Sequence, residues 1–277
     1  MEKHIIGRGL LAGALAGVLA FGWSKVVIEP IIGRSIDFED ATAAAHEAMQ
    51  TAAGSHSHGD GGGELFSRGI QTTVGMGLGV LAFSVALGAL FAVVFAVAYH
   101  RTSKVSARTL SVLVAGAMLV SLWIVPALKY PPNPPATSLD ETITQRTLLY
   151  LLAVGLSALL MVAAVYLGNQ LRPKLGTWNA TLAAGGAYIV AMAIVFLVMP
   201  NIDETPGPIV DDAGVIVLGG YPARDLYEFR LGTLGTQVII WTTIGLVSAA
   251  LLSKLLDGKR PEQSIPPAQG AGASRPA

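Results

Sequence analysis

The sequence predicts an all-α integral membrane protein, a bundle of about six transmembrane helices with long polar outer loops. Of the 277 residues, 52% are hydrophobic and only 13% are charged, whereas a soluble domain has roughly 25% charged residues. Mean hydropathy is correspondingly high, at +0.58. The third observation is an alternation of polar links with apolar runs of about 20 residues, long enough to cross a hydrocarbon core about 30 Å thick.

The first apolar run has 24 residues, whereas the apolar core of a secretory signal has about 7–15, so we expect it to remain as a span. We assign residues 1–255 to the membrane domain. Residues 256–277 are rich in proline, glycine and alanine, and we expect a disordered cytoplasmic tail there. The predicted spans lie near residues 5–28, 72–98, 110–128, 148–167, 178–199 and 231–252.

Glycines recur every fourth residue in the first span, at Gly9, Gly13 and Gly17. This spacing places them on one helix face, where the absence of side chains lets a second helix approach closely. We therefore expect a packing role for this face.

A hydrophilic outer loop, residues 29–71, separates the first two spans and holds three of the five histidines. His56 and His58 flank one serine, so in an extended loop both imidazoles point the same way and can reach one divalent transition metal ion. Asp60 adds a carboxylate. The alternative is that this short His/Gly/Ser-rich stretch is a solvated linker.

The third histidine of the loop, His46, lies in a predicted short amphipathic helix, Asp37–Met49. Glu39 shares its helix face but lies about 10.5 Å away along the axis, too far for one ion. His46 can therefore join a metal site with the other histidines only if the loop folds back.

At the end of the first span, Glu29 precedes Pro30. Trp23 and Lys25 beside it are typical of the membrane interface, where lysines extend towards the headgroups. The alternative interpretation places Glu29 at the mouth of a cation path.

Two further polar links are expected on the same face. The first, 129–135, is proline-rich and predicted to be extended, with a helix beginning near Leu139. The second, 200–230, has an apolar patch at 215–218 and a predicted short surface helix over 221–230. Its acidic residues offer an alternative metal site at Asp203, Glu204, Asp211 and Asp212.

Charge distribution orients the six spans. The face bearing the N-terminus carries 11 of the 18 basic residues, and the opposite face carries 15 of the 18 acidic ones. The positive-inside rule then places both termini in the cytoplasm and the histidine-bearing loop outside. An outer surface this acidic would concentrate divalent cations.

Several function classes are excluded by missing residues. The sequence has no cysteine, so thiolate metal sites and disulfides are ruled out. It has no Walker A pattern and none of the common hydrolase or dinucleotide motifs, so we expect neither an enzyme nor a resident cofactor. The spans hold almost no ionisable residues, whereas a self-sufficient ion-coupled carrier needs one at mid-membrane.

Five stretches of the chain together resemble the CbtA family. They are the Gly-rich first span ending in Glu-Pro, the outer histidine loop, Phe66–Gln71, Val125–Pro135 and Leu226–Gln237. The proline segment and the Glu-Phe-Arg…Leu-Gly-Thr-Gln stretch are the most specific. The resemblance implies a bacterial membrane protein, a subunit of a cobalt transporter associated with cobalamin synthesis. Its usual description has five spans, which puts the first or last of our six in question.

The residues and the resemblance together lead us to expect a subunit for uptake of Co²⁺, or alternatively Ni²⁺ or Zn²⁺, in the bacterial cytoplasmic membrane. The resemblance also implies a small single-span partner with a histidine-rich terminus. Besides the lipid bilayer, a homo-oligomer is possible, and we expect no nucleic-acid partner. The competing hypothesis is a structural or assembly protein. The predicted metal ligands are His56, His58, Asp60, His46 and Glu29.

Overall fold

The computed structural model describes residues 2–52, 70–102, 105–135, 137, 140–202 and 205–256. These residues are mostly helical, and five stretches are long and apolar enough to cross a membrane. The all-α membrane class is therefore confirmed. The helices are α1 (Glu2–Trp23), α2 (Glu29–Ala52), α3 (Met76–Arg101), α4 (Ala107–Leu119), α5 (Val125–Lys129), α6 (Asp140–Val198) and α7 (Ala223–Leu256). Three π-helical turns join them, π1 (Ser24–Ile28), π2 (Gln71–Gly75) and π3 (Val120–Ile124).

The first helix does not end at Pro30. α1, π1 and α2 form one continuous helix of 51 residues, Glu2–Ala52. The expectation of a loop from residue 29 was therefore wrong for residues 29–52, and the predicted helix Asp37–Met49 is part of this longer one. The reason is the π turn, in which the backbone N–H of Glu29 donates to the carbonyl of Ser24, five residues back.

α6 is a hairpin of two arms, residues 140–175 and 177–198. Gly176 separates them with φ 74° and ψ 169°, a backbone conformation essentially restricted to glycine. The arms are antiparallel, because the hydroxyls of Ser157 and Tyr188 hydrogen-bond at 2.7 Å across the hairpin. The fourth apolar stretch thus supplies two arms, and each of the six predicted spans overlaps a helix or arm of its own.

Four of the long helices form a ring. α1 packs against α3 and α7, and α4 packs against α7 and α3. The ring interior holds a cluster of buried apolar side chains that includes Phe91, Phe95, Ile240 and Trp241. The α6 hairpin lies beside this ring and makes its main contacts with π3 and α5.

The glycine-bearing face of α1 packs as its spacing predicts. A methyl group added at Gly9 would lie 2.5 Å from the backbone oxygen of Gly88 on α3, and one at Gly13 would lie 2.5 Å from the oxygen of Ser84. Neither distance is sterically possible, so only glycine allows this approach. The predicted packing role of these glycines is confirmed.

The two ends of the ring differ. The proline end carries Pro30, Pro126 and the segment 130–135, and α7 begins there. The terminal end carries the first residues of α1 and the last residues of α7. The hairpin turn at Gly176 is directed away from the proline end, because each arm's other end contacts α5 or its neighbours.

We predict that Gly13→Ala destabilises the protein, because its methyl group would force α1 and α3 apart at a cost of about 1–3 kcal/mol. Gly7→Ala is the matched control, since no atom lies within 4 Å of the added methyl group. The control should be neutral or slightly stabilising, as alanine favours helix by about 1 kcal/mol over glycine. Melting temperatures in detergent measure both, and equal values would contradict the packing role.

The hairpin leads to a second prediction, about topology. The natural chain has no cysteine, so single-cysteine variants label cleanly with a membrane-impermeant maleimide. We expect Lys174→Cys and Lys254→Cys to label from one side of the membrane and Ala213→Cys from the other. All three positions are exposed. Labelling of Lys174→Cys from the same side as Ala213→Cys would mean that the hairpin does not cross.

Candidate functional site at the proline end

Glu29 lies where the long first helix changes its hydrogen-bond register. Pro30 has no N–H to donate, and π1 immediately precedes the pair. π-helical turns inside α-helices often occur at functional sites. The Glu29 side chain is half-buried, and its oxygen Oε2 is enclosed by protein. A carboxylate is thereby held at the boundary between the ring and the polar part of the helix.

The same arrangement recurs in the third span. π3 immediately precedes the Val125-Pro126 pair, and the N–H of Val125 donates to the carbonyl of Val120, five residues back. Both π turns lie at the proline end. Each lets a helix continue past a proline, and the second leads the chain into the extended proline segment.

α2 is fastened to the start of α7 by two ion pairs. Arg34 donates from Nε to Asp225 and from Nη2 to Glu228, each at 2.7 Å, and Arg224 also donates to Glu228 at 2.7 Å. These arginines neutralise Asp225 and Glu228. The two carboxylates are therefore engaged in structure and are poor candidates for metal ligands.

A buried hydrogen bond reinforces this contact. The hydroxyl of Ser35 donates its one proton to the carbonyl of Ile31, so the hydroxyl of Tyr221 must donate to Ser35, at 2.6 Å. Burial raises the pKa of Tyr221 above its usual value near 10, and a hydrogen bond donated by the neutral hydroxyl acts in the same direction. The bond therefore holds at neutral pH, and its contribution is lost as pH rises above about 10.

The proline segment and the lysine before it are hydrogen-bonded to both ends of α6 and to α7. The hydroxyl of Tyr130 donates to the carbonyl of Pro200 at 2.7 Å, and the ammonium of Lys129 donates to Phe196 and Asn201. These bonds join the segment to the end of α6. Two arginines also donate to the segment. Arg146 of α6 donates to the carbonyl of Pro131, and Arg230 of α7 donates to the side-chain oxygen of Asn133.

The polar link after α6 contains a small β-hairpin. Strands β1 (Ile209–Val210) and β2 (Ile216–Leu218) pair antiparallel, which accounts for the apolar patch noted in the sequence. The carboxylate of Asp211 accepts from the backbone N–H groups of Ala213 and Val215, so it stabilises the turn. Asp212 is exposed, whereas residues 203 and 204 lie outside the described part of the chain.

The end of the polar link 200–230 has a different structure from the one that the sequence predicts. The expected separate surface helix over 221–230 does not exist, because residues 223–230 are the first turns of the continuous helix α7. Pro222 lies just before the first turn, where a proline does not interrupt a helix.

Only two of the five predicted metal ligands lie in the described residues. His56, His58 and Asp60 lie outside them. His46 is exposed on α2, and 17 residues of continuous helix separate it from Glu29, or about 25 Å along the axis. Glu29 and His46 therefore cannot bind the same ion. Within the described ranges, no three His, Asp or Glu side chains cluster as a metal site would require.

Sequence reasoning missed the contacts of Arg34, Ser35 and Tyr221. Asp225 and Glu228 at helical spacing were a visible signal of an acidic face on α7. The partner face on α2 does not follow from the sequence, because the first span is predicted to end at residue 28 and a loop to begin at residue 29.

Fold and site together define a polytopic helical membrane protein with a half-buried acidic side chain at the proline end of a glycine-packed ring. A family model described as probable cobalt transporter subunit (CbtA) matches residues 2–253. The chain therefore belongs to the CbtA family, and the resemblance noted in the sequence is confirmed. No curated protein and no solved structure matches the chain.

We predict that Ser35→Ala lowers the melting temperature in detergent, because it leaves the buried Tyr221 hydroxyl without its acceptor, at a cost of about 1–3 kcal/mol. Thr51→Ala is the control, since the exposed Thr51 hydroxyl bonds only to its own helix. Adding Tyr221→Phe to Ser35→Ala should recover part of the loss. A Ser35→Ala protein as stable as the Thr51→Ala protein would exclude this contribution.

Proposed function

We propose that this chain captures Co²⁺ at the proline end and passes it into the helix ring, as the membrane subunit of a cobalt uptake system. Membership of a family of cobalt transporter subunits supports the cargo and the subunit role. The positive-inside bias supports an outward-facing proline end in a bacterial cytoplasmic membrane, with both termini in the cytoplasm.

The observation that carries this proposal is the position of Glu29. Its carboxylate lies at the π1 break, half-buried, where the long helix passes from the apolar ring to the polar α2. An ionisable residue at such a boundary is usually functional, because its charge is costly to keep there. In our proposal Glu29 accepts the cation from the surface and replaces part of its water shell.

Capture precedes this step and falls to His56 and His58, with Asp60 completing the ligand set. Neutral imidazole binds Co²⁺, and two imidazoles with one carboxylate form a small set that favours rapid release. His46 lies about 25 Å from Glu29 along the helix, so any part it takes is at capture and not at the mouth. Protonation competes with the metal, so capture should weaken below about pH 6.5.

The energy for uptake must come from elsewhere. The sequence has no Walker A pattern, and its spans hold almost no ionisable residues at mid-membrane. The chain therefore acts without an ATPase of its own. A partner supplies the missing coupling, and a small single-span subunit with a histidine-rich terminus fits this need; a homo-oligomer would not add the missing group.

A structural or assembly role is the second candidate. The ion pairs between α2 and α7 favour it, because they build a rigid surface at the proline end without using any metal chemistry. In that case the histidines belong to a solvated linker.

Uptake of radioactive cobalt by whole cells separates the two. We expect the double variant His56→Ala, His58→Ala to slow uptake at scarce cobalt and to matter little at abundant cobalt, where capture no longer limits the rate. Glu29→Gln should slow uptake about tenfold or more at both levels, because it acts after capture and a charge-assisted bond is lost.

Matched controls come from the same chain. His4→Ala with His100→Ala removes two exposed histidines at the terminal end, and Glu47→Gln removes an exposed carboxylate of α2. Both should take up cobalt normally. Wild-type uptake by the His56, His58 and Glu29 variants, at wild-type abundance in the membrane, would favour the structural role.

A further inference from the structure

Arg230 is a half-buried cation with an incomplete set of partners. It lies in the second turn of α7, and its Nη2 donates to the side-chain oxygen of Asn133 at 2.8 Å. Its Nε is enclosed by protein and has no acceptor among the residues that the structure describes. Within the described residues, the one hydrogen bond of its guanidinium is that from Nη2.

The other arginines of α7 and α2 differ from Arg230 in this respect. Arg34 and Arg224 each pair with a carboxylate at 2.7 Å. Arg230 forms no ion pair with any carboxylate in the described part of the chain. A guanidinium removed from water without a counter-charge is costly, so this position favours binding of an anion.

A second guanidinium lies close by. Arg146 donates to the carbonyl of Pro131, two residues from Asn133 in the extended proline segment. Residues two apart in an extended chain are about 6.5–7 Å apart. Arg146 is near enough to repel Arg230, so the two positive charges act on one small region. Two guanidinium groups that both contact the proline segment suit a phosphate, which accepts several N–H bonds at once.

The region lies at headgroup level. Tyr227, one turn before Arg230, and Leu231, directly after it, are 65% and 53% exposed. An exposed tyrosine followed by exposed apolar residues marks the interface between headgroups and acyl chains. The phosphate of a phospholipid headgroup therefore lies at about the depth of Arg230.

We propose that Arg230, with Arg146 and Asn133 beside it, forms a phosphate-binding site at the proline end. The bound group is a phosphate monoanion or diester, supplied by a phospholipid headgroup or by free inorganic phosphate. The site is separate from the proposed cobalt path, and it joins the proline segment to α7 through a ligand as well as through the bond between Arg230 and Asn133.

Thermal stability with defined lipids tests the site without any cobalt. The full chain is purified in detergent, and its melting temperature is compared after addition of phosphatidylglycerol or of a monoglucosyl diacylglycerol with the same acyl chains. We expect phosphatidylglycerol to raise the melting temperature more than the glycolipid does. The difference should disappear in Arg230→Gln, with affinity for phosphatidylglycerol reduced about tenfold.

Arg224→Gln is the matched control, since it removes an exposed arginine of the same helix that is already paired with Glu228. It should retain the wild-type difference between the two lipids. Arg230→Lys keeps the charge but not the planar fork and should retain part of the difference. Because each protein is compared with itself in two lipids, a lower starting stability of Arg230→Gln does not obscure the result.

A separate titration with inorganic phosphate identifies the source. Stabilisation by phosphatidylglycerol alone assigns the site to a headgroup, and stabilisation by inorganic phosphate that Arg230→Gln abolishes assigns it to the free ion. The proposal is overturned if neither compound stabilises the wild type beyond the glycolipid, or if Arg230→Gln responds as the wild type does.

Discussion

A proline inside a membrane helix leaves a backbone carbonyl without its usual donor, and inside the bilayer no water can replace that donor. This protein meets the constraint twice in the same way. π1 before Pro30 and π3 before Pro126 shift the hydrogen bonds to carbonyls five residues back, so that both helices continue. The rest of the proline end depends on this. At π1 the first helix continues out of the ring as α2, with Glu29 at the junction. After π3 the chain enters the proline segment, which contacts α6 and α7.

The ring itself is held by close backbone approach. In a bilayer, burial of apolar side chains drives little association between helices, because lipid tails are equally apolar. Gly9, Gly13 and Gly88 let α1 and α3 come into backbone contact, and Gly232 and Gly235 give Ile28 and Trp23 their places against α7. The indole N–H of Trp23 also donates a hydrogen bond to the carbonyl of Gly232. The glycines of α1, α3 and α7 therefore determine how closely these helices pack, and so where π1 lies relative to α7.

Much of this fold could be predicted from the sequence, because length and hydropathy determine which segments can cross a bilayer. The four-residue spacing of Gly9, Gly13 and Gly17 also predicts which face of the first helix packs closely. What could not be predicted is the backbone hydrogen-bond register of the first helix near Pro30. Nothing local to Pro30 distinguishes a helix end from a π turn, because the competing hydrogen bonds are set by how α2 packs on α7 through Arg34 and Ser35. The candidate site was predicted less well for the same reason. The placement of Glu29 at a boundary was foreseeable, whereas its separation from His46 follows from a helix that was expected to end.

Charged side chains and neutral polar side chains lie at different depths in the described part of the protein. At the proline end Arg34 and Arg224 neutralise Asp225 and Glu228, Glu29 lies at the boundary, and Arg230 forms no ion pair within the described residues. Deeper in the ring the buried polar side chains are hydroxyls, such as Ser84, Ser111 and Ser248. A serine hydroxyl can donate and accept hydrogen bonds, but it does not change charge near neutral pH. Coupling of ion movement to a proton gradient needs a group that changes its protonation state. The family model that matches the chain describes a transporter subunit, which implies partners in a complex.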